Sequence, residues 1–249
     1  MYTKKIDAIV YKNNTSKPCK EEVVMDETVT LTINNNITRN LSAIKDSLKE
    51  FAVGYLLNEN LVKSIDDIKK IEINDTNIDV EIDNNLLKDY ESVLCSDSAG
   101  GWRSKIKNIE VVESDFKVDV NELISRIEEL KNRATIWQAT GGCHVAGIVY
   151  KDNFIVKEDV SRHVAVDKVI GYGLLNDFDL SQSYVIYSGR MPADMVIKMT
   201  RAGIPILASN AAPSNSGYNT AKKGNITLVG FLRGQRCNIY NNQNRINLL

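Results

Sequence analysis

The stretch Tyr184-Val185-Ile186-Tyr187-Ser188-Gly189-Arg190 decides the fold class of this chain. Its apolar first half predicts a strand, and the serine, glycine and arginine that follow predict a turn. A helix comes next, with Pro192 near its first turn, where proline is favoured, and Gly203 at its end. A strand that runs through a turn into a helix is the repeating unit of an α/β fold.

The alternation of strands and helices continues on both sides of this stretch, and it predicts a largely parallel sheet that is covered by helices. The predicted elements are a hairpin over 143–150 and 154–157, a helix over 163–175, a strand over 204–208 and a strand over 225–231.

The first part of the chain predicts a different organisation. Apolar residues that alternate with threonines predict a half-buried strand over 29–33, and a capping box formed by Ser47 and Glu50 predicts the start of a helix that ends near Leu57. We therefore expect a smaller α+β portion at 1–115, which ends in the loop around Cys95, and an α/β cofactor-binding domain at 116–249. Further predicted elements are a hairpin over 68–73 and 77–82, a strand over 106–112 and a helix over 121–131.

The composition of the 249 residues is that of an ordinary globular protein, with 43% hydrophobic and 25% charged residues. The net charge of −1 argues against nucleic acid as an obligate partner, because phosphate-binding surfaces bring an excess of basic residues. The amino terminus lacks the apolar core of a signal peptide, and no apolar run reaches the ~18 residues that span a bilayer. We therefore expect a cytoplasmic protein without a membrane segment, whose four cysteines are free thiols.

Four turns of the α/β part combine glycine, histidine, serine and arginine residues. In an open α/β sheet, ligands bind outside the carboxyl ends of the strands, where such turns collect. Glycine lets backbone N–H groups approach an anion, a helix amino terminus adds its dipole, and arginine makes bidentate contacts with phosphate. We therefore predict a site for a phosphate-rich ligand. The turns supply Gly141, Gly142 and His144; Arg162 and His163; Ser188, Gly189 and Arg190; and Phe231, Leu232, Arg233, Gly234, Gln235 and Arg236.

The two histidines, His144 and His163, both lie in these turns, and either ligand binding or ordinary packing would account for them. A zinc site is the less favoured alternative, because the adjacent residues Cys143 and His144 point to opposite faces of a strand. The sequence also has no C-x-x-C or H-x-x-x-H pattern that would complete a set of ligands. We therefore predict no metal site.

Cys95 is the thiol that we expect to be reactive. It lies in a stretch of serine, aspartate and glycine residues, whereas Cys143 and Cys237 lie in predicted strands, where a thiol is usually buried and inert. A thiol reacts as the thiolate, which Asp97 would oppose and which the basic residues further along the stretch would favour. The residues alone leave a functional and a structural role for Cys95 equally open.

Several segments of the chain together resemble the FdhD family of formate dehydrogenase accessory sulfurtransferases. The most specific one is Glu158-Asp159-Val160-Ser161-Arg162-His163-Val164-Ala165-Val166-Asp167-Lys168. The resemblance covers nearly the whole chain from about residue 20. It also includes segments at 51–56, 140–146, 188–190, 201–205, 228–231 and 238–240.

The resemblance implies a cytidine-deaminase-like three-layer α/β/α core with a smaller amino-terminal portion. It also implies a sulfur carrier that takes persulfide sulfur from a cysteine desulfurase. The sulfur would go to the molybdenum cofactor of formate dehydrogenase, a bis(molybdopterin guanine dinucleotide). Cys95 would carry the persulfide, and the stretch 231–236 would bind the cofactor, for which GDP or GMP would serve as a mimic. The phosphates and guanines of this cofactor suit the turns described above.

The sequence departs from the family pattern in the loop around Cys95. Many members carry C-x-x-C there, and this chain has Cys95 and Ser98 at the corresponding positions. One thiolate suffices to hold a persulfide, whereas a second cysteine would help to release the sulfur by forming a disulfide. The release step, the client enzyme and the oligomeric state, including a homodimer, stay open. A chaperone that binds the cofactor without catalysis is the alternative function.

Overall fold

The amino-terminal portion consists of a hairpin, a four-stranded sheet and one helix. The computed structural model describes residues 2–83, 92–94, 102–104 and 108–248, and for 92–94 and 102–104 it describes the backbone. The elements are the antiparallel pair β1 (Thr3–Lys12) and β2 (Thr15–Val24), then β3 (Glu27–Ile33), β4 (Ile37–Ala43), α1 (Leu48–Asn58), β5 (Ile68–Asn74) and β6 (Asn77–Ile82). The sheet has the order β4-β3-β6-β5. A second antiparallel pair follows, β7 (Ser92–Leu94) and β8 (Trp102–Ser104).

The remaining chain forms a six-stranded sheet with helices. Its first elements are β9 (Val118–Asp119), α2 (Val120–Arg133), α3 (Thr135–Thr140), β10 (His144–Tyr150), β11 (Asn153–Asp159), α4 (Arg162–Leu175) and β12 (Ser183–Tyr187). The later elements are α5 (Ala193–Ala202), β13 (Ile206–Ser209), α6 (Asn215–Lys223), β14 (Thr227–Arg233), β15 (Arg236–Tyr240) and β16 (Ile246–Asn247), which pairs with β9.

The order of the large sheet is β11-β10-β12-β13-β14-β15. Strands β12, β13 and β14 are parallel to one another, whereas β10, β11 and β15 join antiparallel. The prediction of a largely parallel sheet is therefore correct only for β12, β13 and β14. Two-residue turns at 151–152 and 234–235 make the pairs β10–β11 and β14–β15 antiparallel, because so short a connection can join only antiparallel strands.

Helices cover both faces of this sheet. On one face α2 contributes Leu123, Ile127 and Leu130 to a cluster with Tyr184 and Ile186 of β12. On the other face, residues of α4, α5 and α6 form a second apolar cluster with Val185 and Tyr187, the alternate residues of β12, as the period of a strand requires. The predicted α/β/α arrangement is confirmed. The cluster on this second face also includes residues of α1 and of the four-stranded sheet. The amino-terminal portion and the α/β portion therefore share one apolar core.

The close crossing of α1 and α4 joins the two portions. A Cβ atom at Gly54 would lie 1.9 Å from the carbonyl oxygen of Asp167, and one at Gly171 would lie 1.9 Å from that of Glu50. Only glycine permits the two backbones to approach this closely. Both helices are buried around most of their circumference, which explains why neither shows a strong one-sided apolar pattern.

Two buried lysine–aspartate pairs strengthen the same junction. Lys168 Nζ lies 2.7 Å from Asp159 Oδ2 and 3.1 Å from the carbonyl oxygen of Ile44. The backbone N–H of Ile44 donates to Asp159 in return, at 3.0 Å. Lys198 pairs in the same way with Asp167, and all four side chains are at most 2% exposed. A buried charge is tolerated only with partners of this kind, so these residues fix the packing of the layers.

Two local predictions in the amino-terminal half are wrong. Ser47 has a left-handed φ of 52° and makes no capping hydrogen bond, because its hydroxyl accepts from Lys157 Nζ at 2.6 Å. The predicted strand over 106–112 is absent where the chain is described, at 108–112. There the N–H of Val112 donates to Gly224 and its carbonyl accepts from Asn225, so loop contacts replace a strand partner.

Within the described residues, no helix is long and apolar enough to cross a membrane.

Candidate functional site

A cavity of about 400 Å³ opens at the carboxyl ends of β12 and β13. This is the edge of an α/β sheet where ligands are expected, and several predicted residues lie there. Its wall is mostly apolar with a few polar groups, which is the usual composition of a small-molecule site. The lining residues are Ile127, Leu130, Lys131, Trp137, Gly141, Gly142, Cys143, His144, Val145, Val160, Ser188 and Asn210.

Ser188 and His144 form the polar centre of the cavity. The Ser188 hydroxyl oxygen accepts from the N–H of Val145 at 3.0 Å and lies 3.2 Å from His144 Nδ1. One hydrogen bond therefore joins the hydroxyl to Nδ1, and the tautomer of the imidazole decides which of the two atoms donates. Burial lowers the pKa of His144, and the charge of Arg162 lowers it further. His144 is therefore a neutral hydrogen-bond donor at neutral pH.

Arg162 supplies positive charge beside this centre. It is the first residue of α4, and its side chain lies against Gly189, where an added Cβ atom would be 3.1 Å from Arg162 Cδ. The helix amino terminus and the guanidinium therefore meet next to the turn that follows β12, a combination that favours an anion. Arg190 is exposed on the same turn.

The glycine turn before β10 shapes the cavity in a way that the sequence argument did not anticipate. The N–H of Gly141 donates to the carbonyl oxygen of Trp137 at 2.7 Å, and the N–H of Gly142 donates to Thr140 Oγ1 at 3.1 Å. Both amides therefore already have acceptors within the protein. Gly141 has a φ of 62° and ends α3, so the turn contributes an open wall rather than donors.

The stretch 231–236 is the β14–β15 hairpin, and it presents two arginines. Arg233 and Arg236 face each other across the turn, with guanidinium carbons 6.0 Å and 5.8 Å from the centre of the Phe231 ring. Arg233, Gly234, Gln235 and Arg236 are exposed, whereas Leu232 is fully buried and supports the hairpin from the core. The N–H of Phe231 donates to Ala211, the residue after Asn210, so the hairpin begins beside the cavity.

Cys143 lies in the wall of the cavity but is poorly suited to react. Burial, together with the nearby Glu158 carboxylate, raises the pKa of the Cys143 thiol to about 12. Its sulfur lies 3.6 Å from Glu158 Oε1. The expected burial of Cys143 is confirmed. Its inertness stays a prediction, which the raised pKa supports because a thiol that stays protonated is a weak nucleophile.

His163 does not line the cavity. It is 1% exposed on α4, and its Nε2 lies 3.3 Å from Asp194 Oδ2 in the first turn of α5. Its place beside Asp194 suits a role in joining α4 to α5. A direct role for His163 in ligand binding stays a prediction.

Cys95 and Ser98 lie outside the described residues. The neighbouring Leu94 ends β7 and pairs with Trp102 of β8. The assignment of Cys95 as the reactive thiol therefore stays a prediction.

Several lining residues escaped the sequence argument, among them Lys131, Trp137 and Asn210. Asn210 directly follows β13, so the rule that selected Ser188 after β12 would have found it as well. Lys131 lies on α2, and Trp137 lies on the short helix α3, which the sequence pattern did not predict. Neither residue directly follows a strand, so this rule did not select it. They reach the cavity only through the packing of these helices against the sheet edge.

The fold and the cavity define an α/β protein with basic groups beside a cavity at the edge of its sheet. A family model described as the FdhD/NarQ family matches residues 24–247, so the chain belongs to this family. The chain is 48% identical to the sulfur carrier protein FdhD of Methanothermobacter thermautotrophicus, over 91% of this chain and 92% of the relative. It is 31% identical to the sulfur carrier protein FdhD of Shouchella clausii, over 92% of this chain and 91% of the relative.

A solved structure is also similar over almost the whole chain. This is the crystal structure of a candidate formate dehydrogenase accessory protein from Desulfotalea psychrophila, with a TM-score of 0.82 and 25% sequence identity. The match covers 99% of this chain and 100% of that one. The α/β fold predicted from the sequence is therefore shared with a related protein.

Proposed function

We propose that this chain is a sulfur carrier that accepts persulfide sulfur on Cys95 and delivers it to the molybdenum cofactor of formate dehydrogenase. Relatives that are similar over most of their length are named sulfur carrier proteins. The related crystal structure is of a candidate formate dehydrogenase accessory protein. These similarities support the sulfur-carrier role and the association with formate dehydrogenase.

The observation that carries the cofactor assignment is the joint position of the cavity and the arginine hairpin at one sheet edge. The cavity offers a neutral donor, His144, and the hairpin offers two exposed guanidinium groups. A ligand with aromatic rings and several phosphates needs both kinds of group. The molybdenum cofactor, which is the substrate in this proposal, combines them.

The first chemical step is a persulfide exchange. The Cys95 thiolate attacks the outer sulfur of a persulfide on a cysteine desulfurase. A new S–S bond forms at Cys95, the S–S bond of the donor breaks, and the donor cysteine leaves as a thiolate. The step needs no external oxidant or reductant, so one thiolate on the carrier is sufficient.

Mass spectrometry of the intact protein tests this step. After incubation with a cysteine desulfurase and cysteine, the chain should gain the mass of one sulfur atom. The gain should disappear in Cys95→Ala and persist in Cys143→Ala, because the Cys143 thiol has a pKa of about 12 and stays protonated. Cys19→Ala and Cys237→Ala serve as further controls. An unchanged gain in Cys95→Ala would overturn the assignment.

A chaperone that binds and presents the cofactor without carrying sulfur is the second candidate. The described polar groups of the cavity favour it in one respect, since His144 and Ser188 are suited to hold a ligand and have no sulfur to transfer. Activation of formate dehydrogenase separates the two functions. Cys95→Ala should fail to activate the enzyme if the chain carries sulfur, and should activate it as fully as the parent if the chain is a chaperone.

A further inference from the structure

The β1–β2 hairpin, residues 3–24, forms an amino-terminal arm that is largely uncovered. Each strand has ten residues, which corresponds to a length of ~33 Å. Among the described residues, β1 and β2 pair only with each other. An isolated two-stranded hairpin is at best marginally stable in water, so an arm of this length is expected to have a partner. Its exposed large apolar side chains are Ile6, Ile9, Val10 and Tyr11.

The two edges of the arm differ in their capacity to pair with another strand. The two-residue turn at 13–14 makes the residues that flank it a hydrogen-bonded pair. The other end has the same phase, since the N–H of Met25 donates to the carbonyl oxygen of Tyr2 at 2.8 Å. The odd-numbered residues of β1 therefore point their N–H and C=O groups outward. On β2 one of the outward positions is Pro18, which has no N–H, so β1 is the edge that can accept a further strand.

The two faces of the arm differ in charge. On one face the charges balance across the strands, because Lys20 Nζ lies 2.5 Å from Asp7 Oδ1 and Lys5 is opposite Glu22. The other face has an apolar centre surrounded by three lysines and one glutamate. Its residues are Lys4, Ile6, Ala8, Val10 and Lys12 on β1, and Thr15, Lys17, Cys19, Glu21 and Val23 on β2. A face with an apolar centre and a positive rim suits a protein surface that carries carboxylates.

This charge distribution disfavours a second copy of the arm as the partner. Two arms that met through their lysine-rich faces would bring charges of the same sign together. Two arms joined edge to edge through β1 would leave the apolar centre of both faces exposed. An acidic segment of a different protein meets neither difficulty.

The base of the arm lies at the cavity. A Cβ atom added at Gly142, a lining residue, would lie 3.0 Å from Val24 Cγ1 at the end of β2. The short helix α3, which contributes Trp137 to the cavity wall, also packs against β2. A protein bound along the arm is therefore held beside the cavity. A recipient of the proposed cofactor has to approach the chain at this place.

We propose that the amino-terminal arm is the docking element for the protein that receives the cofactor, and that an extended, acidic segment of this protein adds to β1 as a third strand. Main-chain hydrogen bonds at the odd-numbered positions of β1 supply affinity, and Lys4 and Lys12 select carboxylates on the added strand. The inference rests on the proposed function in one respect, because it takes formate dehydrogenase as the recipient.

Calorimetric titration of the chain with cofactor-free formate dehydrogenase tests the docking edge. Ile9→Pro removes one outward N–H of β1 at a position that makes no hydrogen bond within the hairpin, opposite Pro18. Its affinity should be about tenfold or more below that of Ile9→Ala, because an acceptor on the added strand loses its donor. Ser16→Pro is the matched control, since it removes an outward N–H of β2 instead. It should bind formate dehydrogenase as the parent does.

A charge reversal tests the selection of carboxylates. Lys4→Glu/Lys12→Glu should weaken binding about tenfold or more, because like charges would then face each other. Lys222→Glu/Lys223→Glu makes the same change of charge on an exposed part of α6 and should bind as the parent does. Equal affinity of these two variants would contradict an acidic partner strand.

Ile9→Pro should still gain one sulfur atom at Cys95 and should retain its GDP affinity, which separates docking from folding and from sulfur transfer. Equal affinity of Ile9→Pro and Ser16→Pro, or no binding of formate dehydrogenase by the parent, would overturn the docking arm. A parent dimer that Ile9→Pro dissociates, seen by analytical ultracentrifugation, would also overturn it, because a second copy would then occupy β1. A failed arm with a normal Cys95 adduct leaves the sulfur-carrier function intact.

Discussion

The charged residues of two family-like segments differ sharply in their surroundings. Asp159 and Lys168 are completely buried where α1 meets α4, whereas Arg233 and Arg236 are exposed on the β14–β15 hairpin. In the sequence both pairs look alike, as charged residues close to turns. The difference teaches that the segment with the most specific resemblance, 158–168, mainly builds the fold, while the less conspicuous hairpin leaves its charged groups exposed to solvent.

The hydrogen bonds of the two regions explain this division. Lys168 Nζ approaches Asp159 Oδ2 and the carbonyl oxygens of Ile44 and Glu158, which together occupy its three protons. Nothing is left for a ligand. The hairpin guanidinium groups instead flank the Phe231 ring and face solvent, where bidentate contacts with phosphate can form.

The largest expected effect concerns the buried pair. Lys168→Met removes the partner of a carboxylate that stays buried, so the free energy of unfolding should fall by about 3–5 kcal/mol. Urea unfolding monitored by circular dichroism measures it. Lys223→Met, at an exposed position of α6, should change the same quantity by no more than about 0.5 kcal/mol.

The double variant Asp159→Asn/Lys168→Met sharpens the interpretation. It removes both charges, so part of the lost stability should return, because the uncompensated carboxylate is the main cost. A Lys168→Met variant as stable as Lys223→Met would mean that the pair does not hold the layers together. The proposed contrast between the two regions would then fail.

The hairpin should show the opposite behaviour. Arg233→Ala/Arg236→Ala should weaken GDP binding about tenfold or more, since one hydrogen bond to a charged group contributes ~1.5–3 kcal/mol. The remaining binding should depend less on salt concentration. The free energy of unfolding should change by no more than about 0.5 kcal/mol, because both side chains are exposed. Calorimetric titration and urea unfolding measure the two quantities.

Lys222→Ala/Lys223→Ala is the matched control for this variant, because it removes the same charge from an exposed part of α6. It should leave GDP affinity nearly unchanged. If the arginine variant binds as tightly as the lysine variant, the phosphates are bound elsewhere, and Arg162 becomes the next residue to change.

The sequence predicted those parts of the fold that depend on local pattern. The helices predicted at 121–131 and 163–175 and the strand before Ser188 lie where the pattern indicated, because periodicity and turn residues act within a few positions. The Ser47 capping box failed because Lys157, distant in the sequence, binds the same hydroxyl. Local pattern contains no information about such a competitor.

The candidate site was predictable to the extent that it follows the strand ends. Ser188 and His144 lie in the cavity, as the turn argument expected. Trp137 comes from α3, and its exposure follows from the packing of that helix against the edge of the sheet. The sequence argument also chose the backbone amides of Gly141 and Gly142 as hydrogen-bond donors to an anion. Both amides instead donate to acceptors within the protein, which a sequence pattern does not reveal.

The smallest expected effect concerns His144, which belongs to the cavity but is partly buried. Burial lowers the pKa of its imidazole in the folded protein below the ordinary value of 6.5. Protons therefore bind the unfolded chain more tightly, so the contribution of His144 to stability is fully present above about pH 6.5 and is lost as the pH falls through its folded pKa. The His144→Gln variant lacks this titrating group. When the pH is lowered from about 7.5 to about 5, the free energy of unfolding of the variant should therefore fall less than that of the parent.

The difference between parent and His144→Gln cancels the contributions of the other titrating groups, because both proteins contain them. Urea unfolding at the two pH values measures it. Burial lowers the pKa of an imidazole whatever its role, so this measurement tests the protonation state of His144 and not the identity of a ligand. Equal acid sensitivity of both proteins would mean that the pKa of His144 is not lowered in the folded protein, and its description as a neutral group in the cavity would then fail.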